Sequence, residues 1–393
     1  MSQPPSASTP TYHRRNPFLA ALTVHESLTK SGSGKDTRHF ALSLAGSDLR
    51  YAPGDSLAVF ARNSPAVVAE LLQLTGLDPA ALVPVKDAQG QPAQMNLRQA
   101  LSEKFILNRA TKKILQNLPD RLPATRHEDV TLLLADETRL ADYLHTRDYV
   151  DILREFPEAK FETPAVFVAQ LAPIPPRLYS IASSLAAHPD EVHLCVGIVR
   201  YETHGRKKTG LASGFLADHV PLREASIPIY VQESRHFRLP ADPARDIIMV
   251  GPGTGIAPFR AFLEQRAFDG ARGRNWLFFG EQHRATEFFY EDEFAAWQKR
   301  GVLTRLETAF SRDQAQKIYV QQRMQEQGGE LWAWLQGGAY FYVCGDAHRM
   351  AKDVHQALID IAQTHGGLSA EAAAEYVNVT LMKTEKRYLR DVY

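Results

Sequence analysis

The chain has 393 residues, enough for two or three domains at roughly 150 residues each. Lysine and arginine total 45, as do aspartate and glutamate, so the formal charge is zero, which argues against a protein that binds nucleic acid or anionic membranes. The only two cysteines, Cys195 and Cys344, are too few for a disulfide scaffold or a zinc site of their own, and we predict no metal site.

The remaining composition predicts a soluble, cytoplasmic protein. No run of about 18 apolar residues is present, so we expect no membrane-spanning helix. Residues 1–15 are rich in serine, proline and threonine and lack the apolar core of a secretory signal, which predicts a short disordered tail.

Strands separated by turns are expected in residues 16–83. Apolar or strand-compatible runs occupy 18–24, 39–44 and 57–60, and Pro53-Gly54-Asp55 predicts a turn before the last of them. A helix is predicted to start at Ser64-Pro65.

A change of pattern divides this region from its continuation. Residues 84–160 show helical spacing, including one helix over 130–144, and predict a helical insertion. Strand patterning returns over 161–240, with Lys207 and Lys208 in the turn after Gly205. The short strands predict an antiparallel barrel, built from 16–83 and 161–240 around a helical connecting domain.

Alternation of strands and helices characterises residues 241–393. A continuous apolar strand is predicted at 247–250, and further strands are predicted at 276–279, 302–309 and 341–344. Helices are predicted at 258–266, 286–300 and from Ala347, with a helical pair between the last two strands. This order predicts a doubly wound parallel sheet.

The motif GPGTGIAPF lies between the first strand and helix of that sheet. Glycines 251, 253 and 255 let the backbone approach a pyrophosphate, and the following helix supplies N–H donors. We assign Gly253 and Thr254 to the ligand. A tight turn that binds nothing remains the alternative, because the pattern differs from GxGxxG.

A cationic segment follows the third strand of the sheet. Ser311-Arg312 is expected at the carboxyl end of this strand, followed by Lys317, Tyr319 and Gln321. Arginine and lysine suit a phosphate dianion, although a solvated basic turn explains the segment equally well on its own. Together with the glycine turn, it favours NADPH over NADH.

Two motifs in the barrel region have both structural and functional interpretations. RLYSIASS (177–184) supplies a ring to stack on a heterocycle and an arginine for phosphate, but taken alone it favours a barrel wall. TGLASGFL (209–216) is either a helix start or an anion site. Cys344 ends a parallel strand and is expected at the ligand crevice, whereas Cys195 is expected in the core.

These segments together resemble the ferredoxin–NADP reductase module of the diflavin reductase family. The motifs are RLYSIASS, GPGTGIAPFRAF, NWLFFGEQH, SRDQAQKIYVQ, YVCGDAHRMAKDV and RYLRDVY. Within the family, the chain is most similar to the flavoprotein component of assimilatory NADPH–sulfite reductase, and the likeness covers residues 16–393.

The resemblance implies FAD on the barrel and NADPH on the parallel sheet. It assigns to FAD the residues Asn108, His145, Arg177, Leu178, Tyr179, Ser180, Cys195, Val196, Gly197, Tyr201, Gly210, Leu211, Ala212, Ser213 and Tyr393. It assigns to NADPH the residues Ser311, Arg312, Lys317, Ile318, Tyr319, Val320, Gln321 and Asp353. At the reaction centre it implies Ser180, Cys344, Asp391 and Tyr393, with the terminal tyrosine stacked on the flavin as a gate.

The implied activity is NADPH-dependent reduction of FAD, with electrons passed singly to a protein acceptor in sulfite reduction and cysteine biosynthesis. Because the family's FMN-binding flavodoxin domain cannot fit in fifteen residues, we expect electrons to leave FAD for a separate flavodoxin, a ferredoxin or the sulfite reductase haemoprotein. The alternatives are a flavodoxin or ferredoxin–NADP reductase unrelated to sulfur and a flavin-free scaffold subunit.

Overall fold

A computed structural model describes residues 11–393 of the chain. The part of the predicted tail that covers residues 1–10 lies outside the described residues. Among the described helices, none is both long enough and apolar enough to cross a bilayer.

Strands and helices occupy most of the described chain. The strands are β1 (Phe18–Ser27), β2 (Thr37–Ser43), β3 (Ser56–Val59), β4 (Leu82–Lys86), β5 (Pro92–Asn96), β6 (Arg177–Ser180), β7 (Glu191–Gly197), β8 (Arg200–Thr203), β9 (Arg206–Thr209), β10 (Ala225–Gln232), β11 (Ile247–Val250), β12 (Asn275–Glu281), β13 (Arg305–Phe310), β14 (Tyr340–Gly345) and β15 (Tyr388–Val392).

The α-helices are α1 (Pro65–Thr75), α2 (Leu97–Glu103), α3 (Lys112–Gln116), α4 (His127–Ala135), α5 (Glu137–Thr146), α6 (Tyr149–Glu155), α7 (Pro164–Val168), α8 (Leu211–Gly214), α9 (Ala257–Phe268), α10 (Arg284–Glu287), α11 (Glu291–Lys299), α12 (Val320–Glu326), α13 (Gly328–Gln336), α14 (Met350–Gly366) and α15 (Ala370–Glu375). Short 3-10 turns cover Pro119–Arg121, Ala124–Arg126 and Gly253–Ile256, and π-helical turns cover Phe215–His219 and Tyr376–Thr384.

The five strands β13-β12-β11-β14-β15 form one sheet in that order, and every pair in it is parallel. Numbered within this region, the order is 3-2-1-4-5, so the chain reverses direction across the sheet beside its first strand. The predicted doubly wound sheet is therefore confirmed. The last strand, β15, was not predicted, because its charged sequence lacks the apolar run of a buried strand.

An antiparallel sheet of six strands has the order β6-β3-β10-β1-β2-β7. An isolated antiparallel bridge links Ile181, directly after β6, with Leu194 in β7. This bridge links the residue that follows the first strand of the sheet with the last strand. The predicted antiparallel sheet is present.

The described chain falls into two compact units. The first unit contains the residues up to Ala20 together with Ala58–Arg177 and Ile198–Tyr230, and the second contains Ala21–Leu57, Leu178–Gly197 and Val231–Tyr393. The predicted sequence boundaries of the domains remain predictions.

Helices of the first unit pack around one apolar core that includes Leu71, Leu101, Ile152 and Phe167. The predicted helix over 130–144 is wrong in one respect, since it divides into α4 and α5. Asp136 ends the first helix, and its side chain accepts a hydrogen bond from the Arg139 N–H as the N-cap of the second. The block predicted as helical over 84–160 instead begins with a strand hairpin, formed by β4 and β5.

Lys207 and Lys208 lie in β9, which corrects their predicted place in a turn. His204 and Gly205 both have positive φ, 51° and 67°, as the centre of a tight hairpin turn requires. Thr203 therefore already pairs with Arg206, and the two lysines are strand residues. The prediction allowed a longer turn than the backbone uses.

The predicted helix over 286–300 also divides, into α10 and α11. Tyr290 interrupts it with φ of 58°, a left-handed conformation that a continuous helix excludes. The buried phenol of Tyr290 hydrogen-bonds His39 Nδ1 at 3.0 Å, which holds this residue in the interior.

Two apolar cores lie against the parallel sheet of the second unit. Alternate residues of β11 belong to different cores. Ile247 and Met249 pack into one core, and Ile248 and Val250 pack into the other. This alternation follows from the period of two along a strand, and it explains why the strand is apolar throughout. The sheet is thereby a rigid base for the loops at its carboxyl edge.

A buried polar cluster in the second unit surrounds Arg260. The Arg260 guanidinium pairs with Glu293 and Glu264 at 2.7 and 2.9 Å, and its Nη1 lies 3.4 Å from His193 Nδ1. Burial, and next the charge of Arg260, lower the pKa of His39 and His193 to about 3. Both histidines are therefore neutral in the folded protein.

The free energy of unfolding is expected to fall with acidification, because the unfolded chain binds protons that the folded chain excludes. The part of the unfolding free energy that depends on the two neutral histidines is complete above pH 6.5 and is lost as the pH falls toward 3. Each histidine contributes a slope of about 1.4 kcal/mol per pH unit in this window, so pH 5 costs up to about 2 kcal/mol per histidine.

Urea unfolding between pH 7.5 and pH 5 measures this slope. The variant H193Q should reduce this slope by the share of one histidine, which corresponds to one proton. H236Q, at an exposed histidine, should leave the slope unchanged. A stability that does not change over this range would contradict the prediction.

Candidate functional site

The register of β14 and β15 brings two predicted reaction-centre residues together. Cys344 pairs directly with Asp391 across the two parallel strands. The chain end is held there by two backbone hydrogen bonds, from Tyr393 N–H to the Gly345 carbonyl and from Ala347 N–H to the Tyr393 carbonyl, each 3.1 Å long. The terminal tyrosine is therefore part of the sheet edge.

Ser180 completes a cluster on the Asp391 carboxylate. Its hydroxyl donates to Asp391 Oδ2 at 2.7 Å, and the Cys344 thiol faces the same oxygen at 3.9 Å. Burial raises the pKa of Cys344 well above its ordinary value, and the charge of Asp391 acts in the same direction. The thiol is consequently a neutral donor rather than a thiolate nucleophile.

Tyr393 is an exposed residue, 54% accessible, although its backbone is held in place. Its hydroxyl lies 3.1 Å from the hydroxyl of Thr254, in the glycine turn. A large aromatic side chain left accessible beside the cluster of Ser180, Cys344 and Asp391 suits stacking on a flat ring system.

The glycine turn fits closely against the end of β14. A Cβ at Gly255 would lie 2.2 Å from the Cys344 carbonyl oxygen, and Gly253 has φ of +58°. Only glycine satisfies both positions without strain. The turn leads into α9, with Pro258 in its first turn, so backbone N–H groups are available to a pyrophosphate.

A cleft of about 1030 Å³ opens at the carboxyl edge of the parallel sheet. Of the residues assigned to NADPH or the glycine turn, those that line it are Gly253, Ser311, Arg312, Lys317, Tyr319, Val320, Gln321 and Asp353. Ile318 is half-buried and packs against the core. Most of the segment after β13 is therefore brought together with the glycine turn on one cleft.

Backbone hydrogen bonds position the cationic end of this cleft. Ser311 N–H donates to the Glu281 carbonyl at 2.8 Å, and Arg312 N–H donates to the Gln282 carbonyl at 2.9 Å. The side chains of Arg312 and Lys317 are exposed in the cleft, and the ring of Tyr319 is 44% accessible. Two cations beside an open aromatic face match the chemistry of a phosphorylated adenosine.

Some of the residues assigned to FAD lie in the second unit. Cys195 and Val196 are buried in β7, whereas Leu178 in β6 is 47% exposed. Gly197 ends β7, and a Cβ there would meet only the Thr254 methyl group, at 3.7 Å. Tyr179 is half-buried in β6. An exposed leucine beside the reaction-centre cluster suits contact with an apolar ring.

The first unit carries the remaining FAD assignments. Gly210 is the N-cap of α8, and a Cβ there would lie 2.7 Å from the Ser213 hydroxyl, so the turn 210–213 requires glycine at this point. Asn108 and Leu211 line one cleft of about 470 Å³. Arg177 and Tyr201 are exposed, as is His145 in the last turn of α5.

An ion network in the first unit anchors the strand that leads to this turn. The side chains of Arg206 and Lys208, on β9, both pair with Asp148 and Asp151 at the start of α6. Although burial alone would raise it, this pairing lowers the pKa of Asp151 to about 2. The network fixes β9 and therefore the position of the residues immediately after it.

Several residues that line the cleft were not predicted, and two of them pair with each other. Lys35 and Glu281 both line it and form an ion pair 2.6 Å long. Glu281 could have been found, because it lies two residues after the predicted strand 276–279, on the side of the sheet where ligands bind. Lys35 precedes β2 in the other part of the sequence and carries no such signal.

Two family models match the chain. Residues 10–215 match the FAD binding domain family, and residues 249–356 match the oxidoreductase NAD-binding domain family. The predicted resemblance to flavin- and NAD-binding oxidoreductases is confirmed by these matches.

Curated relatives extend the similarity along the chain. The chain is 45% identical over 382 residues to the "Sulfite reductase [NADPH] flavoprotein alpha-component" of Shigella dysenteriae serotype 1, covering 97% of the chain and 62% of that protein. The protein of the same name from Photorhabdus laumondii is 46% identical over 385 residues, again 97% and 62%. The chain thus spans about 62% of the length of these relatives.

Proposed function

This chain belongs to the FAD-binding domain family, and from that membership we propose that it is an NADPH-dependent flavin oxidoreductase that passes electrons singly to a protein acceptor. The observation that carries the proposal is the cluster of Ser180, Cys344 and Asp391 beside Tyr393, at one edge of a sheet that also bears the phosphate-binding chemistry of Arg312 and Lys317. When bound, FAD supplies a hydride acceptor that can release its electrons one at a time.

For FAD, the first unit offers Arg177 and the turn 210–213, and the second unit offers Tyr179. The glycine requirement at Gly210 and the exposed side chain of Leu178 support the fit. NADPH would be held by the cleft of about 1030 Å³, with Arg312 and Lys317 at the 2′-phosphate and the glycine turn at the pyrophosphate.

The chain's own groups prepare the transfer electrostatically. Asp391 accepts a hydrogen bond from the Ser180 hydroxyl and presents a negative charge that favours the positive ring of oxidised nicotinamide. Cys344 remains protonated and buried, so it excludes water and offers no competing nucleophile. Tyr393 would cover the ring of a bound flavin and would have to move aside before a nicotinamide could stack there.

We propose a sulfite reductase haemoprotein as the acceptor, in the cytoplasm. The name shared by the relatives, sulfite reductase flavoprotein alpha-component, supports this choice. The two free buried thiols, Cys195 and Cys344, suit a reducing compartment. Reconstitution with a sirohaem subunit tests the acceptor, and electron transfer to flavodoxin or ferredoxin alone would favour the alternative without sulfur chemistry.

An absorbance spectrum followed by anaerobic NADPH addition tests the activity. Flavin bands that bleach with NADPH, and much more slowly with NADH, are the expected result. A colourless protein that also fails to bind added FAD would overturn the proposal and leave a scaffold role.

The variant Y393A should use NADH about ten-fold better than the native chain, because the ring no longer competes with the nicotinamide. Stopped-flow measurement of flavin reduction by NADH and by NADPH gives the ratio. Y393F is the matched control, since it keeps the ring and loses only the contact with Thr254. Unchanged NADH use in Y393A would exclude a gate at this residue.

A further inference from the structure

The Lys35–Glu281 pair is a charge arrangement that the proposed reaction does not yet use. Lys35 Nζ lies 2.6 and 2.8 Å from the two carboxylate oxygens of Glu281. The Glu281 side chain is almost fully buried, at 4% exposure, whereas that of Lys35 is 38% exposed. One partner is therefore fixed inside the cleft wall, and the other reaches it from solvent.

Glu281 occupies an unfavourable position for a cleft that binds phosphates. It ends β12, next to the glycine turn, and its Oε1 lies 3.4 Å from the position that a Cβ at Gly253 would take. A bare carboxylate here would repel a pyrophosphate on the turn. Burial raises the pKa of Glu281, while Lys35 acts in the opposite direction.

The segment that carries Lys35 is fastened to the same sheet edge. The Ser33 hydroxyl donates to Glu287 at 2.7 Å, and the Lys35 N–H donates to the Ser33 hydroxyl at 2.9 Å. Glu287 in turn accepts the N–H groups of Gln282 and His283, each at 3.1 Å. These bonds hold Lys35 over the turn without using its ammonium group.

We propose that the ammonium group of Lys35, held in place by Glu281, binds the pyrophosphate of the dinucleotide. This contact would not distinguish NADPH from NADH, because it does not involve the 2′-phosphate. The inference rests on the proposed function and adds a residue from outside the parallel-sheet region. An ammonium group has three donors, so it can keep Glu281 and still bind a phosphate oxygen. Glu281 thereby positions the cation, and Lys35 screens the carboxylate from the ligand.

Binding measurements with two nucleotides separate this role from recognition of the 2′-phosphate. NADP⁺ contains both the pyrophosphate and the 2′-phosphate, whereas 2′-AMP contains only the 2′-phosphate. Isothermal titration of the FAD-loaded protein should show that K35A weakens NADP⁺ binding about 10- to 30-fold and leaves 2′-AMP binding unchanged. R312A should weaken the binding of both.

The double variant K35A/E281Q tests the electrostatic part. It should recover about 3- to 10-fold of the NADP⁺ affinity lost in K35A, because the uncovered carboxylate is then neutral. K30A is the matched control, since Lys30 lies on the same segment, is exposed and pairs only loosely with Glu291 at 4.0 Å. K30A should bind NADP⁺ like the native chain.

Each contrary result has a distinct meaning. Equal weakening of NADP⁺ and 2′-AMP in K35A would move Lys35 to the 2′-phosphate and overturn the proposal, as would native NADP⁺ affinity in K35A. Failure of E281Q to restore affinity in the K35A background would overturn the screening role. A native chain that binds neither nucleotide would instead refute the proposed function.

Discussion

The variant R312A is expected to lose about 100-fold or more in kcat/KM for NADPH while its kcat/KM for NADH changes less than about three-fold. The Arg312 backbone is tied to Gln282, so its side chain starts from a fixed point at the cleft edge. Hydrogen bonds to charged groups contribute about 1.5–3 kcal/mol each, and a bidentate contact with a 2′-phosphate accounts for a loss of this size.

The control for this prediction removes an arginine from the opposite edge of the sheet. Arg272 is exposed in the loop between α9 and β12, so R272A makes the same change in net charge away from the cleft. R272A should leave kcat/KM unchanged for both NADPH and NADH. If R312A loses NADPH and NADH use equally, Arg312 supports folding or pyrophosphate binding and does not read the 2′-phosphate.

The second large effect is expected at Asp391. D391N should slow flavin reduction by NADPH about 100-fold, while the NADP⁺ dissociation constant changes less than about three-fold. The amide can still pair with Ser180, but it carries no negative charge to favour the oxidised nicotinamide ring. Single-turnover reduction measured by stopped flow isolates this step from electron release to the acceptor.

Two further variants show whether charge or packing is responsible. D391E keeps the charge and should recover part of the rate, and D292N, at an exposed residue of α11, is the control for loss of a carboxylate. The FAD content of each purified variant must match that of the native chain. A native rate in D391N would remove Asp391 from the reaction centre.

Most of the sheet architecture could be predicted from local sequence. The continuous apolar run Ile247–Val250 and the glycine turn after it identify a buried parallel strand followed by a helix, because both faces of such a strand must be covered. The segment Ser311-Arg312 was likewise placed at a strand end from spacing alone, and it lines the cleft.

Departures from the predicted elements have local backbone causes. Because His204 and Gly205 have positive φ, the hairpin turn is shorter than predicted, and Lys207 and Lys208 lie in a strand. Tyr290 and Asp136 each divided a predicted helix, one through a left-handed backbone and the other by capping. Hydrophobic periodicity does not register such conformations, since they change few apolar positions.

The sequence by itself determined which kinds of residue were available: a glycine turn, a cationic segment and an aromatic chain end. Only the tertiary structure decided which of them meet. Strand β15 places Asp391 opposite Cys344, and Ser180 reaches the same carboxylate from 211 positions away. Lys35 likewise meets Glu281 across 246 positions. Pairing of distant strands depends on register and packing, which no local pattern of residues encodes.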